Sequence, residues 1–237
     1  MPDVKPTQGD LLNSRNTAAL SILALAIGGV ATAAPAQADV ACSITNFSPR
    51  TVVVGVSPVT ATFNVSTTGC HQEDWNLESD DFFVYKGSPQ ETLQPYFNSD
   101  AGPADVVASA ANSDYNTRER VFANGFSLKR RSVWSTNSFN ASPEPVRKGQ
   151  NISIKARLLI ADWDNDRWVG YGSRSISVQF RTPTGSYTTV KTVTTRVDGW
   201  VSTTVPAKQT GVWRVVYGGN SLASNAIAVG DSVQVKG

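Results

Sequence analysis

The strongest constraint on the fold is an alternation of apolar and polar side chains in the C-terminal part of the chain. It is clearest over residues 152–160, where every second side chain is aliphatic. Similar runs follow at 176–181 and 211–217, with turn residues between them. Period-two alternation broken by turns about every ten positions is typical of an all-β sandwich. The pattern predicts an architecture and, by itself, no activity.

The first 38 residues have the organisation of a secretory signal peptide. A polar lead with Lys5 and Arg15 precedes an apolar run at 18–30, and an Ala-x-Ala pattern ends at Ala38. The apolar run is shorter than the roughly 20 residues that a membrane anchor needs. We expect cleavage after Ala38 and a secreted, extracellular protein without membrane insertion. An uncleaved anchor is the alternative.

Both cysteines, Cys42 and Cys70, follow the predicted cleavage site. An even number of cysteines in an exported chain favours a disulfide. Closing a loop of about 28 residues would stabilise the fold by roughly 3 to 4 kcal/mol. The alternative is a free reactive thiol beside His71.

Turn and linker signals divide the chain. Asn124-Gly125 between two strand-like runs predicts a β-hairpin, and Asp198-Gly199 predicts a second one. Residues 137–145 are rich in Ser, Asn and Pro, which is typical of a linker. The sequence therefore predicts a signal peptide (1–38), an N-terminal β-sandwich domain with the disulfide (39–140) and a C-terminal sandwich domain (146–237).

The C-terminal part resembles the bacterial immunoglobulin-like modules of exported proteins. The resemblance is carried, in order, by residues 145–149, 152–158, 171–172, 178–181, 198–199 and 211–217. The Gly-x-Trp-x-x-x-Tyr run of 211–217 takes the place of the Gly-x-Tyr-x-Cys strand of that superfamily. Residues 52–55 and 59–65 look like the same opening strands. The resemblance implies two tandem immunoglobulin-like β-sandwiches that act as spacers, adhesive units or ligand-binding domains and share no active site.

Charge and motif content disfavour several classes of function. The 21 basic and 19 acidic residues nearly balance, at a net charge of +2, so we expect no affinity for nucleic acid. His71 is the single histidine, and no Gly-x-Ser-x-Gly, His-Glu-x-x-His or glycine-rich phosphate motif is present. We therefore predict that the protein is not an enzyme.

A calcium site is the only cofactor site that the sequence suggests. Asp162, Asp164 and Asp166 alternate in one loop, and carboxylate oxygens in such a pattern can converge on Ca²⁺. The helix–loop–helix calcium motif is excluded, because Arg167 and Ser173 stand where it needs Gly and Glu. A calcium site between strands stays open, and the alternative is a solvated turn.

An acidic loop offers one enzymatic alternative, a small secreted hydrolase. Its carboxylates are Glu73, Asp74, Glu78, Asp80 and Asp81. A pair of them at the right separation could hydrolyse a glycosidic bond. The opposing interpretation is charge that keeps the loop soluble.

Aromatic and basic side chains suggest a glycan or cell-wall polymer as the partner. The aromatic candidates for sugar contact are Trp163, Trp168, Tyr171 and Trp200. The basic candidates are Arg118, Arg120, Lys129, Arg130 and Arg131, with Phe126 and Trp134 nearby. Core packing of the aromatic rings and protection of a sheet edge by the charges are the alternatives. The sequence favours a secreted, non-enzymatic binding or spacer protein.

Overall fold

The computed structural model describes residues 41–71, 75–112 and 114–237. The predicted signal peptide lies outside the described residues. Two short 3₁₀ turns, Asn98–Asp100 and Trp163–Asn165, are the only helical segments of the described part, and the rest of its regular structure is strand. The all-β prediction is confirmed. None of the helical segments described here has the length and apolar character to cross a membrane.

The first of two tandem sandwiches is formed by nine strands. They are β1 (Ser43–Ser48), β2 (Thr51–Val54), β3 (Val59–Thr62), β4 (Asn64–Thr68), β5 (Trp75–Ser79), β6 (Phe82–Tyr85), β7 (Gln90–Leu93), β8 (Gly102–Ala111) and β9 (Thr117–Arg130). One sheet has the order β2-β9-β8-β5-β6, with β2 parallel to β9. The antiparallel pairs β1–β4 and β3–β7 supply the opposing layer. Five phenylalanine rings lie buried in the core between these layers: Phe47, Phe63, Phe82, Phe122 and Phe126.

The second sandwich is formed by the remaining strands. They are β10 (Ser132–Trp134), β11 (Asn140–Ser142), β12 (Val146–Arg147), β13 (Asn151–Asp162), β14 (Arg167–Gly170), β15 (Ser175–Arg181), β16 (Thr188–Thr194), β17 (Trp200–Pro206), β18 (Gly211–Tyr217), β19 (Ala226–Ile227), β20 (Asp231–Val233) and β21 (Val235–Lys236).

The long strand β13 organises this second sandwich. It pairs with β10, β11, β14 and β17, and its inward side chains are the predicted alternating set, from Ile152 to Ile160. The facing sheet has the order β16-β15-β18-β19, with β20 also on β18. Trp213 and Tyr217 of β18 are buried in the same core as β13, and they alternate with half-buried neighbours.

The predicted disulfide is confirmed. Cys42 is bonded to Cys70, and the two residues flank the paired strands β1 and β4. The bond therefore joins two neighbouring strands of one layer.

The predicted hairpin at Asn124-Gly125 is wrong. β9 runs through both residues and pairs with β8 on either side of them, with a bulge in β9 between Phe122 and Phe126, opposite Ala104 to Val106 of β8. Asn124 takes a left-handed φ of 50°, and its N–H donates to Asp105 Oδ1 at 2.7 Å. Here Asn-Gly supplies the left-handed backbone conformation of a bulge. A tight turn requires the same local conformation.

The predicted hairpin at Asp198-Gly199 is also wrong. The turn forms, with Gly199 N–H donating to Arg196 O at 2.9 Å, but β16 pairs with β15 and β17 pairs with β13. The turn carries the chain from one layer of the sandwich to the other. Local turn chemistry predicts the reversal without predicting which sheet receives the next strand.

Candidate functional site

β13 connects the two cores. Its side chains up to Ile160 pack in the second core, whereas Ala161 and Trp163 belong to the first. Trp163 is 4% exposed, and its indole N–H donates to Gly55 O at 2.8 Å. A tryptophan at the end of a strand of the second sandwich therefore completes the core of the first.

Asn98 clamps the loop that follows β13. Its backbone N–H donates to Asp164 Oδ1 at 3.0 Å, and its side-chain amide donates to Asp162 Oδ1 at 2.7 Å and also to Asp164. Its carbonyl oxygen Oδ1 accepts the N–H of Trp163 at 2.9 Å. Asn98 of the first sandwich thus forms hydrogen bonds, as donor and as acceptor, with three consecutive residues of the second. We call Asn98, Asp162, Trp163 and Asp164 the junction.

The junction keeps Asp162 ionised. Hydrogen bonding from Asn98 lowers the pKa of Asp162, against the opposing effect of burial, and Asn165, Arg130 and Arg167 lower it further. Asn165 Nδ2 donates to Asp162 Oδ2 at 2.9 Å, and Arg167 Nε lies 3.6 Å from the same oxygen. A buried carboxylate is tolerated only when it is paired and hydrogen-bonded, and here both conditions are met.

This geometry gives two of the three predicted calcium ligands a structural role. Asp162 and Asp164 accept hydrogen bonds from Asn98, while Asp166 is exposed in a left-handed conformation with a φ of 48°. Across the described part of the chain, no three His, Cys, Asp or Glu side chains are grouped as metal ligands. The calcium site stays a prediction.

Several of the basic candidates contact the protein itself. Arg120 donates to Ile44 O at 2.8 Å, Lys129 Nζ to Asn220 O at 2.8 Å and Arg130 Nε to Ala161 O at 2.7 Å. Lys129 and Arg130 thereby connect the end of β9 to a loop and to β13 of the second sandwich. Arg118 and Arg131 are exposed.

The four aromatic candidates do not share one surface. Trp163 is buried and Trp168 packs against the first core, whereas Tyr171 packs against the second and lies 5.6 Å from the ring of Tyr217. Trp200 is 37% exposed, with the Arg157 guanidinium 6.0 Å from its ring centre. Sugar binding by these residues stays a prediction.

The acidic loop lies on the first sandwich, at and around the turn between β5 and β6. Glu73 and Asp74 lie outside the described residues, Glu78 is exposed on β5, and at the turn Asp80 is exposed and Asp81 half-buried. Burial, then Asp100 and Asp80, raise the pKa of Asp81 to about 6.

A groove that sequence reasoning missed runs along β10 and β19. It has a volume of ≈ 920 Å³ and extends from Val53 of the first sandwich along β10 and the loop after it to residues 224–231. Trp134 and Phe139 provide aromatic surface, and Arg131 and Asp231 are its charged groups. The indole N–H of Trp134 donates to Ala226 O at 3.1 Å, which fixes the orientation of the ring.

Asn98 and the groove gave different signals in the sequence. Asn98 follows the aromatic pair Tyr96 and Phe97 in a proline-containing connection, with nothing to relate it to Asp162. The groove is lined by the Ser- and Asn-rich stretch that composition identifies as a linker. The polar residues around Trp134 and Phe139 were the sequence pattern that could have indicated the groove.

Neither a protein-family model nor a curated protein sequence matches this chain. Among solved structures, it is similar to fibronectin(III)-like modules of CbhA from Clostridium thermocellum, at 12% identity and a TM-score of 0.37, with 82% of this chain and 93% of that chain covered. It is also similar to the D00-D0 domain of intimin, at 14% identity and a TM-score of 0.31, with 81% and 99% covered.

A further similarity is to the structure of a 1.5-MDa bacterial ice-binding adhesin, at 13% identity and a TM-score of 0.30, with 84% of this chain and 66% of that chain covered. The strand pairing and the two separate cores of the chain itself define the two tandem sandwiches.

Proposed function

We propose that this protein is a secreted, non-enzymatic module that binds or spaces partners outside the cell, with its two sandwiches held as one rigid unit. The observation that carries the proposal is the junction. Asn98 makes four hydrogen bonds to the loop after β13, and Trp163 enters the first core. Interfaces between domains within a chain are commonly mobile unless they are large or well packed. A packed and hydrogen-bonded interface of this kind is expected in a protein that must hold its two sandwiches at a fixed distance or angle.

Two further features support an extracellular binding or spacing role. The Cys42–Cys70 disulfide belongs to oxidising compartments. Asp162 and Asp164 hold a neighbouring loop, which gives these carboxylates a role other than turnover. The hydrolase alternative requires two carboxylates of the acidic loop in a concave site, and Glu78 instead lies on an exposed sheet face.

The rigidity is tested by ¹⁵N relaxation of the full chain in its disulfide-bonded form. A rigid pair of sandwiches gives one rotational correlation time for amides of β8 and of β18. The variant Asn98→Ala removes the side-chain bonds to Asp162, Asp164 and Trp163, and we expect the two sandwiches to tumble with separate, shorter correlation times. Asn116→Ala, an exposed asparagine of the first sandwich, is the matched control and should leave relaxation unchanged.

Two independently tumbling sandwiches in the wild-type protein would refute the rigid unit. Identical relaxation in the wild type and in Asn98→Ala would show that the junction is not what holds them. The predicted domain limits, 39–140 and 146–237, belong to this proposal, as does a glycan or wall polymer as partner. A screen of the protein against wall polymers and soluble glycans tests the partner class.

A further inference from the structure

We propose that the groove along β10 and β19 is a binding site for a neutral oligosaccharide. The inference rests on the proposed role as an extracellular binding module and assigns that role to one surface. The groove residues used in the argument are Arg131, Trp134, Asn137, Phe139, Asn225 and Asp231. None of them belongs to the aromatic set that the sequence suggested for sugar contact.

The size and position of the groove fit a ligand site. A volume of ≈ 920 Å³ lies within the range of about 300–1,000 Å³ that binding clefts occupy. Such clefts occur preferentially where two domains meet. This one is lined by Val53 of β2 in the first sandwich and by β10 and β19 of the second. A junction that holds the two sandwiches rigidly, as proposed above, would keep this groove preformed.

The lining combines flat rings with amides. Trp134 and Phe139 are half-buried, so one part of each ring packs on the second core while the remainder is accessible. Sugars present apolar C–H faces to aromatic rings and hydroxyl groups to amides and carboxylates. Asn137 and Asn225 are exposed at the groove and supply amide donors and acceptors.

The balance of charges in the groove favours an uncharged oligosaccharide. Arg131 and Asp231 are the two charged residues of the lining, and their formal charges cancel. Asp231 Oδ2 accepts the N–H of Ala141 at 2.8 Å, and no hydrogen bond among the described residues uses Oδ1. The Arg131 guanidinium likewise has no hydrogen bond or ion pair within the described ranges. Each group can therefore contact ligand hydroxyls, while a polyanion would meet Asp231 and a polycation Arg131.

The test is an NMR titration of the full ¹⁵N-labelled protein with cellohexaose, chitohexaose and a polygalacturonate hexamer. We expect the first or the second to shift amides of residues 134–140 and 225–231, and the anionic hexamer to shift none at equal concentration. Phe139→Leu keeps apolar packing but removes the ring, and Asn137→Gly removes the amide at a left-handed φ of 56° that glycine adopts freely. Each should weaken binding about tenfold, the effect of losing one good contact.

The matched control is Phe83→Leu, an aromatic ring that is 57% exposed on the first sandwich. It should change affinity less than twofold. Shifts centred on Phe83 and Tyr85, or on Trp200, would place sugar binding elsewhere and overturn the inference. An absence of shifts at 10 mM of every hexasaccharide would also overturn it. In both cases the relaxation experiment still decides whether the rigid-module proposal holds.

Discussion

The two sandwiches reach the same layered architecture by different means. The first combines two long strands, β8 and β9, with seven strands of four to six residues, and it carries the disulfide and the buried phenylalanine cluster. The second contains no cysteine and is built on one long strand, β13, of 12 residues, which pairs with four others. The short pairs β1–β4 and β3–β7 form few ladder hydrogen bonds of their own. In the first sandwich a covalent bond at β1 and β4 and large aromatic rings add to this layer, whereas in the second a single strand organises one whole layer.

The comparison also shows an asymmetric dependence. The second sandwich supplies Trp163 to the first core, and the first supplies Asn98 to fasten the loop that carries Trp163. Among the described residues, the core of the second sandwich is formed by residues from β10 onwards, and no side chain of the first sandwich belongs to it. We therefore expect the first sandwich to depend on the second more than the reverse.

Trp163→Ala should have the largest effect. Truncating a buried tryptophan costs about 4 kcal/mol, and the indole bond to Gly55 is lost as well. Native-state hydrogen exchange should show the loss at β2 and β9 of the first sandwich, with β15 and β18 retaining most of their protection. Trp200→Ala, at a ring that is 37% exposed, should cost about 1 kcal/mol or less. Equal losses of exchange protection in both sandwiches would show that the first does not depend on the second more than the reverse.

Removing the disulfide should have the next largest effect. Cys42→Ala with Cys70→Ala releases a loop with a sequence separation of 28, worth roughly 3 to 4 kcal/mol. Urea unfolding should show a less stable first sandwich, with exchange accelerated at β1 and β4. Protection of Ile154 in β13 should be unchanged. A comparable loss at Ile154 would mean that the two sandwiches unfold as one cooperative unit.

Asn98→Asp should cost about 2 to 3 kcal/mol at pH 7, because it places a third carboxylate against Asp162 and Asp164 and removes the amide donor. In the wild type the pKa of Asp162 is lowered, so its stabilising contribution is present above the unfolded value of 3.8 and is lost as pH falls through the lower folded value. The difference in the free energy of unfolding between Asn98→Asp and the wild type should therefore become smaller below about pH 4. Asn116→Asp, in an exposed loop, is the control. If the loss of stability in Asn98→Asp were the same at every pH, it would come from the shape of the new side chain instead of its charge.

The sequence predicted features that depend on local pattern. The alternation over β13, the disulfide and the all-β class each follow from spacing and composition, and each is confirmed. The two hairpin predictions failed for a common reason. Asn124-Gly125 and Asp198-Gly199 do have turn-type backbone, but the pairing partner of a strand is decided by burial of a whole face.

The site was harder to predict because its residues are distant in the chain. Asn98 and Asp162 are 64 positions apart, and a lone asparagine in a loop has no pattern that announces a partner. The spacing of Asp162, Asp164 and Asp166 predicted calcium ligands, and that prediction stays open. In the structure, Asp162 and Asp164 accept hydrogen bonds from an amide of the other sandwich, a partner that their spacing does not indicate. The burial of Trp163 beside the partial exposure of Trp200 likewise depends on tertiary packing alone.

Asp81→Asn should have the smallest effect and the opposite sign. Burial, then Asp100 and Asp80, raise the pKa of Asp81 from 3.8 to about 6 in the folded protein. A carboxyl whose folded pKa is raised stabilises the fold fully below pH 3.8, and this contribution is lost as pH rises through about 6. At pH 7.5 the ionised group therefore opposes folding, and the neutral amide should raise the Tm by a few degrees. Because Asp81 is only half-buried, solvent screening keeps the gain below about 1 kcal/mol.

The pH profile of that gain separates charge from packing. At pH 3.5 Asp81 is protonated in the folded protein, so the wild type and Asp81→Asn should melt within a degree of each other. Asp166→Asn is the matched control, because Asp166 is exposed and asparagine also accepts its left-handed φ of 48°. It should leave the Tm unchanged at both pH values. A gain from Asp81→Asn that persists at pH 3.5 would show that the amide packs better, and the first sandwich would then carry no electrostatic strain at its β5–β6 turn.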